Sequence, residues 1–159
     1  PSRATGTPVT LDALRLGGGG MAVNMVVLGT PPDGLRRFTR PIAARLVVDG
    51  AEIATARTTT IVIATGQYLR GLDVVPRGHP GDGRLEVQAY RLRPPERRAM
   101  RARLPHGTHI PHPRIAQRPG YHVEVVATQP IALEVDGRPR PPVRALTVDV
   151  VASAYRLLV

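Results

Sequence analysis

The chain has no cysteine, no tryptophan and no lysine, and only one phenylalanine and four tyrosines among 159 residues. The lack of cysteine excludes disulfides and thiolate metal sites and makes the reducing cytosol the default compartment. With aromatics at 3%, the core has to be built from Val, Leu, Ile and Ala, which favour strands when they alternate. Stacking platforms for bases are scarce, so no nucleic-acid partner is expected. No apolar run reaches the length of a membrane span. Serine occurs only at Ser2 and Ser153, and the G-x-S-x-G elbow of serine hydrolases is missing.

What is abundant is glycine (16), proline (17) and arginine. Gly and Pro at this density exclude a helical bundle and punctuate the chain as in an all-β domain. The net charge of +10 is carried by arginine alone. Coding bias in a GC-rich genome explains most of that enrichment. Its functional reading is attraction to an anionic membrane surface, so with the cytosol as default compartment a cytoplasmic protein peripheral to a membrane is expected.

Residues 1–8 read as a lead-in and 9–159 as one mainly β domain, an antiparallel sandwich with one surface helix. Val9–Leu16 and Met21–Gly29 read as a hairpin across the Gly17–Gly20 turn. No Gly-Lys-Ser/Thr follows those glycines, so they do not form a phosphate loop. Pro41–Gly50 is expected as a strand ending in the tight-turn pair Asp49-Gly50. Ala51–Gly66 continues as strand, with an interruption near Thr55 and the β-branched Thr58–Ile63 central. In Arg84–Leu92, Leu85, Val87, Ala89 and Arg91 share a face. Residues 94–104 (PPERRAMRARL) predict the helix, with Pro95 in its first turn, Glu96 near its N-terminus and His106-Gly107 as its stop. Thr108–Pro119 reads as a proline-interrupted connector. Tyr121–Gln129, Ile131–Gly137, Val143–Val151 and Ala152–Val159 are closing strands.

Several residues invite chemistry. Asp82, between two glycines at a strand start, is either a turn aspartate capping its own backbone or a metal ligand. Asp136, in Val135-Asp136-Gly137, is either a tight turn, as at Asp49-Gly50, or a catalytic carboxylate. His106, His109 and His112 have the spacing of a metal cluster only if helical, and Pro105, Pro111 and Pro113 argue against a helix there.

The stretch ATGQYLRGLDVVPRGHPGDGRLEV (64–87), followed some fifty residues later by IALEVDGRP, resembles the C-terminal half of the diacylglycerol kinase-like lipid kinases, which include the sphingosine kinases. In that family a strand ends in an N-G-x-Y-x-G-G-G-like turn. A P-x-A-x-x-D-D-G-L-L-D-V-like loop and, later, a V-D-G-E-like turn follow. Thr65-Gly66-Gln67-Tyr68 and Gly71 match the first element, with Thr in place of Asn. Asn24 and Gly29 match an F-x-N-x-x-x-x-G strand. Asp82 takes the second acid of the D-D-G element and Gly81 the place of the first. Arg138 stands where the family has Glu.

The resemblance implies a β-sandwich domain that forms the lipid side of an active-site cleft. Asp136 would be the general base or the group that orients a lipid hydroxyl. Asn24, Gly66, Tyr68 and Gly71 would position the lipid or the loops, and Asp82 would lie at a magnesium site. It further implies ATP and Mg²⁺ in the full-length enzyme, a preceding nucleotide-binding domain with a G-G-D-G-T-like loop that is absent from this sequence, and an inactive isolated fragment that binds neither cofactor tightly. The other classes left open are a non-catalytic lipid- or membrane-binding module and a homodimerising β-domain.

Overall fold

The computed structural model describes residues 6–159. The first five residues of the expected lead-in lie outside it, and the first strand already begins at Pro8. The strands are β1 (Pro8–Leu16), β2 (Met21–Ala22), β3 (Met25–Gly29), β4 (Ala44–Val48), β5 (Ala51–Ile53), β6 (Thr60–Ala64), β7 (Tyr68–Leu69), β8 (Leu72–Asp73), β9 (Leu85–Tyr90), β10 (Ile115–Gly120), β11 (His122–Val135) and β12 (Arg138–Leu158). The one α-helix, α1 (Arg97–Arg103), is extended by 3-10 turns at Pro94–Glu96 and Leu104–His106. Gly107, at φ 66°, ends it, as a left-handed C-terminal glycine does.

Ten strands form one antiparallel sheet in the order β10-β9-β6-β3-β11-β12-β1-β2, with β4 and β5 branching from β11. The branching makes the sandwich. The first half of β11 (Val123–Ala127) pairs with β4, and its second half (Leu133–Val135) pairs with β3. The pairing of β11 with β12 shifts register between Val126 and Ile131, so the sheet turns there and its two halves face each other.

Side chains alternate accordingly. Val26, Leu28, Ile61, Ile63, Leu85, Val87 and Ala89 enter the core between the layers, with Leu14, Leu46 and Val123. Met25, Val27, Val62 and Ala64 point the other way, into a second core with Leu35, Tyr90, Met100 and Leu104. Strands β3 and β6 are therefore buried on both faces, which accounts for their unbroken apolar runs. Leu85, Val87 and Ala89 do share a face, while Arg91 lies beyond the end of β9.

Four expectations are corrected. Residues 21–29 are two strands, not one, because Val23 and Asn24 leave the ladder. The segment expected as a connector contains β10, an edge strand bonded only to β9. Its Pro119 is tolerated because an edge strand has an unbonded side. The four closing segments are two long strands, β11 of 14 and β12 of 21 residues, interrupted by irregularities and not by turns. Finally, Pro41–Gly50 is strand only from Ala44 to Val48.

Candidate functional site

Asp136 and Gly137 form the two-residue turn between β11 and β12, with φ of 50° and 80°. Two positive φ values match the twist of the flanking strands, and Asp-Gly supplies them at low cost. The Asp136 carboxylate turns back onto the break between β2 and β3. Its Oδ2 accepts the Val23 N–H at 2.8 Å. Its Oδ1 accepts the N–H groups of Asn24 and Met25, both at 2.9 Å. Two of these donors, on Val23 and Asn24, lie in the break between β2 and β3, and the third is on Met25, the first residue of β3, so this side chain satisfies the backbone where the strand is interrupted. A carboxylate offers about four acceptor positions; three are occupied on this half-buried residue, which leaves one.

Asn24 joins this turn to the next. Its Nδ2 donates to the Tyr68 carbonyl at 2.7 Å, and its carbonyl accepts the N–H groups of Thr65 and Gly66. A Cβ on Gly66 would overlap Asn24 Oδ1, and one on Gly78 would overlap the Gly66 carbonyl. Glycine is required at both positions by close approach. Asp136, Asn24, Gly66 and Tyr68 are thus brought together. Gly71 sits at the tip of the β7–β8 hairpin, at φ 76°. Its neighbour Arg70 forks onto Asp33 at 2.9 and 3.0 Å and reaches Glu134 at 2.6 Å. These bonds, that with Asp33 foremost, push the guanidinium above its usual range and hold Asp33 below the usual carboxylate range.

Asp82 is oriented differently. Its Oδ1 accepts the Arg84 N–H at 3.0 Å, and its Oδ2 lies 3.7 Å from the Arg84 guanidinium. No group of three or more His, Cys, Asp or Glu suited to a cation occurs among the described residues. One carboxylate already engaged by Arg84 does not fit a magnesium shell.

The loop that carries Asp82 is held by a residue the sequence reading passed over. Asp12 is 2% exposed. Its Oδ2 accepts the Gly83 N–H at 2.7 Å and its Oδ1 the Ser153 N–H at 2.9 Å. Ser153, at φ 52°, lies in the bulge of β12 opposite Asp12. The available signal was an acid inside the apolar run of β1. Between the two aspartates stands Tyr155, whose phenol is pushed up by burial first and by the charges of Asp136 and Asp12 after it.

Beside the Asp136 turn opens a pocket of about 280 Å³, lined by Leu16, Gly18, Leu133, Val135, Arg140 and Leu146. It shares Val135 with the turn. Of the three histidines spaced by three, His109 and His112 border one cavity. His109 is buried, with Nε2 3.1 Å from the Val74 carbonyl, and burial holds its pKa below the ordinary value. His112 Nδ1 accepts the Arg114 N–H instead. His122 lies between Glu124 at 3.1 Å and Asp149 at 2.6 Å, and those bonds, Glu124 first, raise its pKa. No helix among the described residues is long and apolar enough to cross a membrane.

Residues 33–159 match the family model of the YegS C-terminal NAD kinase β-sandwich-like domain. Two solved structures from Bacillus anthracis str. Sterne share the fold. A candidate diacylglycerol kinase superposes with a TM-score of 0.75 at 10% identity, over 96% of this chain and 58% of that one. A diacylglycerol kinase does so with a TM-score of 0.68 at 13% identity, over 96% and 54%. The chain therefore spans little more than half the length of these proteins. No curated protein matches the sequence significantly.

Proposed function

Because the chain belongs to the family of YegS C-terminal NAD kinase β-sandwich-like domains, we propose that it is the substrate-side half of a diacylglycerol kinase-like lipid kinase. The reaction joins a lipid hydroxyl oxygen to the γ-phosphorus of ATP, breaks the bond to ADP and releases the hydroxyl proton. Catalysis of such a transfer is mostly positioning and charge stabilisation. One observation carries the reading. The free acceptor position of Asp136 lies at the end of a hairpin whose last strand residue, Val135, also lines an apolar pocket. A lipid alcohol needs that combination, an apolar wall for its body and a fixed acceptor for its hydroxyl. Three backbone donors fix the carboxylate, which favours an orienting role over that of a mobile base.

The test is phosphorylation of diacylglycerol in mixed micelles. The chain alone with ATP and Mg²⁺ is expected to give no product. Turnover at an ordinary kinase rate, about 1–100 s⁻¹, would overturn the split-site reading. Joined to the nucleotide-binding half of a family member, the chain is expected to phosphorylate the lipid. Asp136→Asn is expected to cut that rate by roughly 10²-fold, the cost of a misplaced reacting group.

A second reading has support in Asp49. That residue occupies the other Asp-Gly turn, and its carboxylate likewise accepts backbone N–H groups, from Tyr121 and His122. If Asp136 is only a structural staple of the same kind, the domain binds lipid without catalysis, and Asp136→Asn leaves the rate of the joined protein unchanged.

A further inference from the structure

We propose that the loop from Arg36 to Arg40 and the outer side of α1 form a docking surface for an anionic lipid bilayer, with Phe38 entering the interface. The chain's single phenylalanine is 88% exposed, the most exposed large apolar side chain of the described residues. Its loop is held firmly. Arg97, itself only 4% exposed, donates from Nη1 to the carbonyls of Arg36 (2.8 Å), Arg37 (3.1 Å) and Thr39 (2.8 Å). Arg101 donates to the Leu35 carbonyl. A buried guanidinium is costly unless it is well bonded, and here its Nη1 holds three carbonyls of one loop and so fixes that loop's shape. The shape it fixes turns the ring away from the core.

Around that ring the charge is of one sign. Arg36, Arg37, Arg98 and Arg101 border, with Phe38, a groove of about 520 Å³. Of the two nearby acids, Asp33 is paired with Arg70 and its charge also reaches Arg36, while Glu96 is paired with Arg93 and Arg114. Among the described residues none of the four arginines of the groove has a carboxylate partner. An exposed aromatic ring amid guanidinium groups that make no ion pair complements the headgroup layer of an anionic membrane. The ring reaches the acyl boundary while the cations meet lipid phosphates. A soluble acidic protein would match the charge but leave the lone ring without a pocket. The surface goes beyond the proposed transfer reaction, and it would bring a lipid-side domain to where lipid resides.

The absence of tryptophan gives a clean probe, since Phe38→Trp introduces a single indole at the wedge. On adding vesicles with 30% phosphatidylglycerol in phosphatidylcholine, its emission is expected to shift to the blue. Pure phosphatidylcholine should leave it unchanged, and the shift should fade as salt rises. In co-sedimentation of the otherwise native chain, Arg37→Gln with Arg98→Gln is expected to weaken partitioning roughly 30-fold, from the usual strength of one arginine at an anionic surface. Phe38→Ala is expected to weaken it further at unchanged thermal stability. Arg118→Gln with Arg144→Gln, on β10 and β12, is the control of equal charge.

Equal weakening by the control pair would overturn the proposal in favour of overall charge attraction. So would a shift caused by a second copy of the chain or by the nucleotide-binding half without vesicles, or no binding to the anionic vesicles at all. None of these readouts uses ATP, so lost vesicle binding with lipid phosphorylation intact in micelles would sink the docking surface and spare the kinase reading.

Discussion

Asp136 Oδ1 accepts the backbone N–H of Asn24 at 2.9 Å across 112 residues of sequence. This bond ties the last hairpin to the second half of the first one, and it makes the candidate catalytic carboxylate a structural element as well. Asp136→Ala removes acceptors from three N–H groups at once. Because the site is half-buried, water replaces part of the loss, and the expected destabilisation is about 2–3 kcal/mol. Urea unfolding checks this. Asp136→Asn keeps an acceptor at Oδ1 for Asn24 and Met25 but sets its NH₂ against the Val23 N–H, and is expected to lose less than Asp136→Ala. A catalytic deficit in Asp136→Asn without a matching stability deficit separates the two roles.

Gly66 and Asn24 are expected to be coupled. Ala at position 66 would press on Asn24 Oδ1, and overpacking of this kind costs about 1–3 kcal/mol. Asn24→Ala removes the obstacle together with the bond to Tyr68. In a double-mutant cycle the pair should therefore lose less stability than the sum of the single changes. Strict additivity would mean that Gly66 is required for another reason.

Asp12 is expected to govern the loop from Pro76 to Gly83. It accepts from Gly83 and Ser153, and its own N–H donates to the Pro80 carbonyl at 2.6 Å. Asp12→Ala leaves two backbone donors without their charged acceptor, a loss of about 3 kcal/mol. The readout specific to the loop is trypsin cleavage after Arg77 and Arg84, which should accelerate under native conditions before global unfolding does. Unchanged cleavage would show that the loop is held by its other contacts.

The sequence reveals the parts of this fold that are set by local pattern. Thr58–Ile63 and Leu85–Ala89 announce themselves because β-branched and alternating apolar residues have few other uses. The helix was visible in its prolines, Glu96 and Gly107. The long strands were hidden because Pro130, Pro139, Pro141 and Pro142 read as breakers, whereas β11 and β12 absorb them at shifted register and beside the turn. The split at Val23–Asn24 was hidden for a different reason. Its cause is a carboxylate more than a hundred residues away. Within the site, the Asp-Gly dipeptide was legible as a turn at both Asp49 and Asp136, and both are. What the two carboxylates hold, and that Asp12 does the same for a loop, are tertiary facts that no local spacing encodes.

Two histidines are expected to give stability opposite dependences on pH. His122 has a raised pKa in the folded chain, through Glu124 and then Asp149. The folded state therefore binds its proton more tightly than the unfolded state. This contribution is complete below the ordinary value near 6.5 and is lost as pH rises through the folded pKa. His109 is the reverse case, since burial lowers its pKa. Its neutral form is compatible with the fold, so its contribution is intact above about 6.5 and declines as pH falls toward its folded pKa. Stability measured by urea unfolding from pH 5 to 9 should fall at both ends. His122→Gln should flatten the alkaline fall and leave the acid one. His109→Gln lowers stability throughout, because Val74 and Tyr90 lose a partner, but it should flatten the acid fall. His122 is partly exposed, and its share should shrink in 0.5 M salt, while that of buried His109 should not. An acid fall that survives His109→Gln would place its origin in the carboxylates instead.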